Sequence, residues 1–279
     1  MRVYRIESGV LIESEDQFYR LPERDWDAFI NDDDLFANAT EIIRSRPSIG
    51  ERGTTLLQTE LESPIVSQEV WASGVTYFNS KLARQEESSD AGGGDFYARV
   101  YVADRPELFF KSAGFRVQGS GGKLRIRKDS SWNVPEPELT LFITSSGKIV
   151  GYTIGNDMSS RSIEGENPLY LPQAKTYDGS TAIGPCLYVS ESPLPEGTEI
   201  TMEIARGGVV VFGGVVEISQ MKRTPDELAS WLYRETSFPV GCFLMTGTGI
   251  VPPKEFTLES GDEVRITIET IGTLVNSIE

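Results

Sequence analysis

The feature that most constrains the fold of this chain is its pattern from Glu69 onward, where short β-like runs alternate with Gly, Pro and Asp. Val264-Arg-Ile-Thr-Ile-Glu269 alternates apolar and polar residues, as a half-buried strand does. Thr224 before Pro225 predicts the N-cap of a late helix. Strands are predicted at 107–111, 139–144, 149–154, 200–204, 208–212 and 263–268, and helices at 79–89, 159–164 and 225–234. We therefore expect an α+β protein that is mostly β.

The first part of the chain predicts a small α/β unit of its own. Two short strands, at 3–6 and 9–12, precede helical patterns between residues 24 and 46. The run Asn31-Asp-Asp-Asp34 offers short side-chain acceptors that would cap the second helix. Pro64 marks the predicted boundary. We expect a small N-terminal domain over residues 1–64 and a catalytic domain over residues 65–279.

Composition excludes several classes of partner. The chain carries 26 Lys and Arg against 42 Asp and Glu, a net charge of −16, which argues against nucleic acid and anionic membrane surfaces. No stretch approaches the ~20 apolar residues of a membrane span, and the N-terminus lacks a signal-peptide core. The two cysteines, Cys186 and Cys242, are expected to be buried thiols in a reducing compartment. These observations predict a cytoplasmic protein that acts on a small molecule.

No histidine occurs in the 279 residues, whereas three carboxylates are closely spaced: Glu136 and Glu138 in Val134-Pro-Glu-Pro-Glu-Leu139, and Asp157 after Gly155-Asn156. Residues two apart in a strand point to the same side, so both glutamates can converge on one ion. Zinc and iron sites recruit His or Cys, whereas Mg²⁺ and Ca²⁺ prefer oxygen ligands. The sequence therefore predicts a hard-metal site for a substrate that chelates through its own oxygens.

Without histidine, acid–base chemistry falls to Glu, Asp or Lys. Glu107 and Lys111 flank an apolar run, and a strand there would place both on one face. Lys175 follows a turn-rich segment, and a bound metal beside it would lower its pKa and let it act as a base. Thr248 lies in Met245-Thr-Gly-Thr-Gly-Ile250, a turn that presents backbone N–H groups to an anion.

Taken together, these segments resemble the fumarylacetoacetate hydrolase family over roughly residues 65–275. The motifs are Glu107-Leu-Phe-Phe-Lys111, Pro135-Glu-Pro-Glu-Leu139, Gly151-Tyr-Thr-Ile-Gly-Asn-Asp157, Ser159-Ser-Arg161, Lys175 and Thr246-Gly-Thr-Gly249. Segments 70–77, 105–111 and 164–175 narrow the resemblance to the branch that dehydrates 2-keto-3-deoxy sugar acids. The resemblance implies a β-roll-like catalytic domain behind the small N-terminal domain. It also implies dependence on Mg²⁺, with Mn²⁺ or Ca²⁺ as alternatives, and a homodimer or homotetramer.

The resemblance further implies a role for each matched residue. Glu136, Glu138 and Asp157 would hold the metal, and Lys175 and Glu107 would form the acid–base pair. The implied substrate contacts are Lys111, Arg161, Gln173 and Thr248. A lid over residues 79–98 would carry Arg84 and Glu87, with Gly92–Gly94 providing its freedom.

The implied activity is that of a hydro-lyase that turns a 2-oxo sugar acid, 2-keto-3-deoxy-D-arabinonate, into 2,5-dioxopentanoate. Lys175 would remove the C3 proton and Glu107 would protonate the departing C4 hydroxide, or the two roles would be reversed. Hydrolases and decarboxylases of the family use a His–Glu pair, and here segment 77–87 has glutamates and no histidine. Two alternatives stay open. One is a metal-dependent acylpyruvate hydrolase or oxaloacetate-type decarboxylase that uses Glu87, and the other is a binding protein without turnover.

Overall fold

The structure is a computed structural model that describes residues 1–87 and 94–279, with side chains at 1–85 and 96–279. Over these residues the chain forms sixteen strands and eight α-helices. The strands are β1 (Arg2–Ile6), β2 (Gly9–Ser14), β3 (Gln17–Leu21), β4 (Glu69–Gly74), β5 (Glu107–Ala113), β6 (Lys123–Leu124), β7 (Asn133–Val134), β8 (Pro137–Ile143), β9 (Ile149–Asp157), β10 (Ser159–Ser160), β11 (Thr181–Tyr188), β12 (Glu199–Arg206), β13 (Val209–Glu217), β14 (Cys242–Met245), β15 (Glu263–Ile268) and β16 (Gly272–Ile278). The helices are α1 (Trp26–Ile30), α2 (Leu35–Arg44), α3 (Arg52–Thr59), α4 (Phe78–Glu87), α5 (Gly94–Val102), α6 (Arg161–Glu166), α7 (Leu171–Lys175) and α8 (Pro225–Leu232).

A nine-stranded sheet in the order β3-β2-β1-β11-β9-β8-β14-β4-β5 forms the centre of the fold. The five-stranded sheet β13-β12-β15-β16-β6 packs on one face, where Leu141 of β8 meets a core that includes Met202 and Ile266. Helices α1 and α2 cover the other face through Trp26 and Leu35. Strand β8 is buried on both sides, as a central strand between two layers must be. The mostly β fold predicted from the sequence pattern is confirmed.

The N-terminal strands continue the large sheet. Strand β1 pairs antiparallel with β11, with Arg2 opposite Tyr188 and Val3 opposite Leu187. The strands predicted at 3–6 and 9–12 are confirmed as β1 and β2. The division into two domains at residue 64 stays a prediction.

The acidic run at residues 31–34, before α2, forms hydrogen bonds with the hairpin between β8 and β9. Asp34 occupies the N-cap position, but its side chain accepts no capping hydrogen bond from the described helix. Asp33 instead accepts hydrogen bonds from Thr144 Oγ1 at 2.5 Å and Ser146 Oγ at 2.8 Å, and these bonds lower its pKa. The predicted side-chain cap of α2 is therefore wrong, because the run binds the β8–β9 hairpin.

Three predicted helices correspond to α4, α6 and α8. Thr224 caps α8 as predicted, since its side chain accepts a hydrogen bond from the Glu227 N–H. Helix α6 begins at Arg161, two residues later than predicted, because Ser159 and Ser160 pair with β7 as strand β10. The sequence pattern predicts neither α5 nor α7, which are short and bounded by glycine or proline-rich segments.

One end of the large sheet gathers the termini of six strands. Strands β9, β14 and β4 end there, whereas β8, β5 and β11 begin there. The reason is that β8 runs antiparallel to β9 and β14, β11 runs antiparallel to β9, and β5 runs antiparallel to β4. Segments far apart in the sequence therefore place their polar side chains at the same end.

Candidate metal centre and active site

Three buried carboxylates meet at this end of the sheet. Glu136, Glu138 and Asp157 each offer an oxygen, and these oxygens lie within 4.8 Å of one another. Reciprocal backbone bonds hold two of them opposite each other, from Glu136 N to Asp157 O at 3.2 Å and from Asp157 N to Glu136 O at 2.9 Å. Burial raises the pKa of both glutamates, and the charges of the other two carboxylates raise that of Glu138 further. A divalent cation would offset this cost.

The charge inventory of the site also fits a cation. Five carboxylates stand against four cationic side chains, so the group is short of one positive charge. The carboxylates are Glu107, Glu136, Glu138, Asp157 and Glu164, and the cations are Arg84, Lys111, Arg161 and Lys175. A divalent ion together with a substrate that bears one carboxylate would bring the total to zero. The oxygen-only donor set suits Mg²⁺.

Lys175, at the end of α7, lies among the carboxylates with no exposed surface. Its Nζ is 2.7 Å from Glu136 Oε2 and 2.8 Å from Asp157 Oδ2, and it donates to Ser159 Oγ at 2.5 Å. Burial alone would lower the pKa of Lys175, but the attraction of Asp157, Glu136 and Glu164 outweighs it and raises the pKa above its ordinary value. A cation bound by these carboxylates would remove that attraction and favour the neutral amine.

Glu107, the first residue of β5, has a carboxyl oxygen that is not used as a hydrogen-bond acceptor by the described residues. Its Oε2 is buried and accepts no hydrogen bond from the described residues. Burial raises the pKa of Glu107, so the proton is held more tightly than in water. Gly74 lies opposite Glu107 across the β4–β5 pair, and a Cβ at Gly74 would overlap Oε2. A larger residue at that position would push the carboxyl group out of its present place.

The turn after β14 completes the metal side of the site. Gly247 N donates to Glu138 Oε2 at 2.5 Å and thereby orients this carboxylate. Gly247 has a φ of 95°, and a Cβ there would overlap Thr76 Oγ1, so the position requires glycine. Thr248 is buried and lines the same cavity as the carboxylates, which agrees with the predicted substrate contact without testing it.

Glu164 on α6 is a buried residue that the sequence patterns do not single out. Its Oε2 lies 2.5 Å from Arg84 Nη1 and 3.8 Å from Arg161 Nε, and its Oε1 lies 3.6 Å from Lys175 Nζ. Burial alone would raise the pKa of Glu164, but the three cations together lower it. The signal that could have revealed it is its i,i+3 spacing from Arg161, which places both on one helix face.

The residues predicted to contact substrate have different surroundings in the structure. Arg161 is buried and donates to Glu136 Oε1 at 2.7 Å. Lys111 has no exposed surface, and its ammonium already meets Met158 O at 3.0 Å, Lys175 O at 2.5 Å and Asp157 Oδ1 at 2.7 Å. These three acceptors use its three N–H groups. Lys111 therefore holds protein groups in place in this structure, and its predicted contact with substrate stays a prediction.

Gln173, the fourth predicted substrate contact, is exposed on α7 and does not line the cavity of the carboxylates. Its contact with substrate stays a prediction. Of the two predicted lid residues, Arg84 on α4 is buried, lines this cavity and pairs with Glu164. The side chain of Glu87 lies outside the described residues, as does most of the expected hinge at Gly92–Gly94.

The free space among these side chains is small. It measures about 10 Å³, room for about one water molecule. Arg84, Phe109 and Lys175 contribute to its walls. A larger groove of about 310 Å³ lies elsewhere, is largely apolar, and contains none of the carboxylates. A substrate of several carbons therefore requires side chains of the carboxylate site to move.

Fold and site together define a class, an α+β enzyme with a buried divalent-metal centre made of carboxylates. A sequence model of the fumarylacetoacetate (FAA) hydrolase C-terminal family matches residues 97–279. The chain belongs to this family. Across its described part, none of the helices combines the length and apolar character needed to cross a membrane.

Two relatives resemble the chain over most of its length. A probable 2-keto-3-deoxyxylonate dehydratase of Haloferax volcanii is 50% identical over 216 residues, which cover 77% of this chain and 73% of the relative. A 2-dehydro-3-deoxy-D-arabinonate dehydratase of Saccharolobus solfataricus is 43% identical over 221 residues, covering 78% and 74%. A more distant relative, an oxaloacetate tautomerase of Bacillus subtilis, is 30% identical and covers 63% of this chain and 62% of the relative.

Solved structures agree with the relatives. A 2-keto-3-deoxy-D-arabinonate dehydratase complexed with magnesium and 2,5-dioxopentanoate superimposes with a TM-score of 0.81 at 35% identity, covering 100% of this chain and 99% of that one. The apo form of a 2-keto-3-deoxy-D-arabinonate dehydratase gives a TM-score of 0.82 at 34% identity. The resemblance to this family and the expected catalytic fold are therefore confirmed.

Proposed function

We propose that this protein is a Mg²⁺-dependent hydro-lyase that converts 2-keto-3-deoxy-D-arabinonate to 2,5-dioxopentanoate and water. The observation that carries the proposal is the buried set Glu136, Glu138 and Asp157 with Lys175 among them, in a chain that has no histidine. Similarity to dehydratases over more than three quarters of the chain supports it. We further propose a cytoplasmic homodimer or homotetramer.

The names of the two relatives agree on one substrate. D-arabinonate and D-xylonate differ in configuration only at C2 and C3. A 2-keto-3-deoxy acid has a carbonyl at C2 and a methylene at C3, so neither difference survives. Within the D series the two names therefore describe one compound with a single stereocentre at C4. This compound is a monoanion at neutral pH, which agrees with the charge inventory of the site.

Glu136, Glu138 and Asp157 are the residues that would hold the cation. When bound there, Mg²⁺ supplies positive charge that stabilises negative charge developing on the 2-oxo group of the substrate. Lys111 and Gly247 orient two of these carboxylates, Asp157 and Glu138, through the contacts given above. Their part is to fix the ligand geometry before substrate arrives.

Lys175 and Glu107 are the proposed proton carriers. Lys175, as the neutral amine, accepts the proton that leaves C3. Glu107, whose pKa burial raises, is the proposed acid and donates a proton to the C4 hydroxyl group, which departs as water. The C3–C4 alkene then rearranges through a C4–C5 enol to the aldehyde, so one water is lost in total. The two residues could exchange these roles without changing the products.

Helix α4 is the proposed lid over the site. Arg84 on α4 pairs with the buried Glu164, and the remaining space admits about one water molecule. Entry of the substrate therefore requires side chains of the site to move, with Arg84 of α4 as the proposed mover, and reclosure would exclude bulk water from the reaction.

The test of this function is a coupled assay. Purified protein, Mg²⁺ and 2-keto-3-deoxy-D-arabinonate are combined with a dehydrogenase that oxidises 2,5-dioxopentanoate, and NADP⁺ reduction is followed. A signal that disappears with EDTA and returns with Mg²⁺ supports the proposal. No signal, together with pyruvate release from acylpyruvates or oxaloacetate, would assign the protein to the hydrolases or decarboxylases of the family. No turnover of any of these substrates would leave a binding protein.

A further inference from the structure

Arg223 is a buried cation that lies outside the carboxylate site. It is 6% exposed, directly precedes the N-cap of α8, and does not line the cavity of the carboxylates. Its guanidinium donates to Glu227 Oε1 on α8 at 2.5 Å. Helix α8 is itself packed into the core through Leu228 and Leu232. Arg223 is therefore attached to a well-packed part of the fold.

The other donors of Arg223 bind main-chain carbonyls at the end of α5. Nη1 donates to Asp104 O at 2.9 Å, and Nη2 donates to Val100 O at 3.3 Å and to Ala103 O at 2.5 Å. The last carbonyls of a helix have no partner within the helix, and a cation there also interacts favourably with the helix dipole. Arg223 therefore fixes the C-terminal end of α5 to α8.

The neighbouring Lys222 connects the end of α5 with the start of α4. Its Nζ donates to Tyr101 O in the last turn of α5, and its backbone N donates to Thr76 O at 2.9 Å, two residues before α4. Phe78, the first residue of α4, contacts the ring of Tyr101, with 6.3 Å between the ring centroids. Both helices are therefore held together where they leave the body of the fold.

This helix pair carries two side chains to the carboxylate site. Arg84 of α4 lines the cavity and lies 2.5 Å from Glu164 Oε2. Tyr97 of α5, which the sequence patterns do not single out, is 7% exposed, and its ring centroid lies 5.9 Å from the guanidinium carbon of Arg84. Burial raises the pKa of Tyr97, and the charges of Glu107 and Glu164 add to this against the opposing effect of Arg84. The position of the helix pair therefore sets the position of Arg84 and of its aromatic neighbour.

We propose that Arg223 is a positioning residue for the dehydratase reaction, because it fixes the end of α5 and thereby keeps Tyr97 and Arg84 in place beside the carboxylates. Its effect passes through α5 and through the ring of Tyr97. When Arg84 moves to admit the substrate, the fixed helix pair returns it to the same place. The inference rests on the proposed function, in which α4 is the lid.

The first test compares the kinetics of Arg223→Gln and Arg223→Lys with those of wild type. Without the anchor a smaller fraction of the molecules holds Arg84 and Tyr97 in place, and the apparent affinity for substrate falls with that fraction. Arg223→Gln should therefore raise KM by about ten- to a hundredfold, as expected for lost charged hydrogen bonds, and change kcat by less than about threefold. Arg223→Lys should recover most of the KM, because its ammonium can donate to three of the same acceptors. Mg²⁺ affinity, measured by calorimetry, should stay at the wild-type value in both variants, since the metal ligands belong to other segments.

Arg2→Gln is the matched control. Arg2 also donates to two main-chain carbonyls, Thr270 O at 3.0 Å and Glu269 O at 3.2 Å, but it belongs to β1. Its loss should lower the melting temperature without changing KM. An equal rise of KM in Arg2→Gln and Arg223→Gln would show that KM follows general stability, and it would overturn the proposal. So would a wild-type KM in Arg223→Gln.

Hydrogen exchange of the Mg²⁺-loaded protein tests the anchor without substrate. Wild type should protect the amides of the last turn of α5, residues 99–102, as strongly as those of α8, whereas the ends of a short unanchored helix fray. In Arg223→Gln these amides and those of α4 should exchange at least about tenfold faster, with β8 unchanged.

Rapid exchange at 99–102 in wild type, or unchanged exchange in a folded Arg223→Gln, would contradict the anchor. If Arg223→Gln does not fold, the wild-type pattern and the KM of Arg223→Lys, which should lie above that of wild type, decide instead. If wild type shows no dehydratase activity, the proposed function fails, whereas hydrogen exchange still decides whether Arg223 fixes the helix pair.

Discussion

Replacing Lys175 with methionine tests the proposed base most directly, because the change keeps the length of the side chain and removes only the ammonium group. In the structure this group contacts Glu136 Oε2 at 2.7 Å and Asp157 Oδ2 at 2.8 Å without any exposure to solvent. Removing one partner of a buried ion pair costs about 3–5 kcal/mol of folding free energy. For a chain of this size that corresponds to a loss of about 6–10 °C in melting temperature.

Divalent metal should reverse most of this loss. The ammonium group and a Mg²⁺ ion neutralise the same carboxylates, so Lys175→Met should bind Mg²⁺ at least as tightly as wild type. At about a hundred times the dissociation constant, Mg²⁺ adds about 2.7 kcal/mol to stability. Turnover should nevertheless fall by about 10²–10⁴-fold, the usual contribution of a general base.

Three measurements decide the matter: melting with and without Mg²⁺, Mg²⁺ titration by calorimetry, and the coupled assay. Lys254→Met, at an exposed position, is the matched control and should change none of them. Surviving turnover in Lys175→Met would remove this residue from the mechanism. Loss of Mg²⁺ binding would instead show that Lys175 is needed to shape the metal site.

Three further changes separate the parts of the site. Glu138→Gln should lose Mg²⁺ binding and activity together, since it removes a ligand charge; calorimetry that still shows wild-type affinity would contradict the ligand assignment. Gly74→Ala should lower kcat and leave Mg²⁺ affinity unchanged, because the added Cβ would displace the Glu107 carboxyl group but touches no metal ligand; an unchanged kcat would show that turnover does not depend on this placement of the carboxyl group. Burial raises the pKa of Glu107, so the folded state binds the carboxyl proton more tightly than the unfolded chain does. The free energy of unfolding therefore falls as the pH rises from the ordinary pKa of a glutamate through the raised pKa of Glu107. Melting curves of Glu107→Gln against pH should lack that decline, so that the variant gains stability relative to wild type at high pH while losing turnover.

The sequence was sufficient for the parts of the site that local geometry determines. Glu136 and Glu138 converge because residues two apart in an extended chain share a side, and this holds before any tertiary contact forms. The absence of histidine already limits the metal to one that oxygen ligands satisfy. The alternating pattern likewise predicts the mostly β fold, because strands with one apolar side must pack against another layer.

Tertiary structure decided which side chains of the site already have protein partners and which are available to bind a ligand. Lys111 stands in a motif that resembles a substrate contact, but packing of β5 against α7 surrounds its ammonium with three protein acceptors. The i,i+3 spacing from Arg161 is the one local signal of Glu164, and only the tertiary structure brings Arg84 of α4 to it. The acidic run at residues 31–34 likewise binds a hairpin more than a hundred residues away.

The amino-acid sequence by itself therefore determined the kind of chemistry: oxygen ligands, no imidazole, and a net negative charge that argues against nucleic acid and anionic membranes as partners. Only the tertiary structure decided where each charge lies relative to the others. Five carboxylates and four cations from distant segments share one buried end of a sheet, and the energy of each depends on its neighbours within a few ångströms. Those distances are set by strand register and helix docking, which no local stretch of sequence specifies.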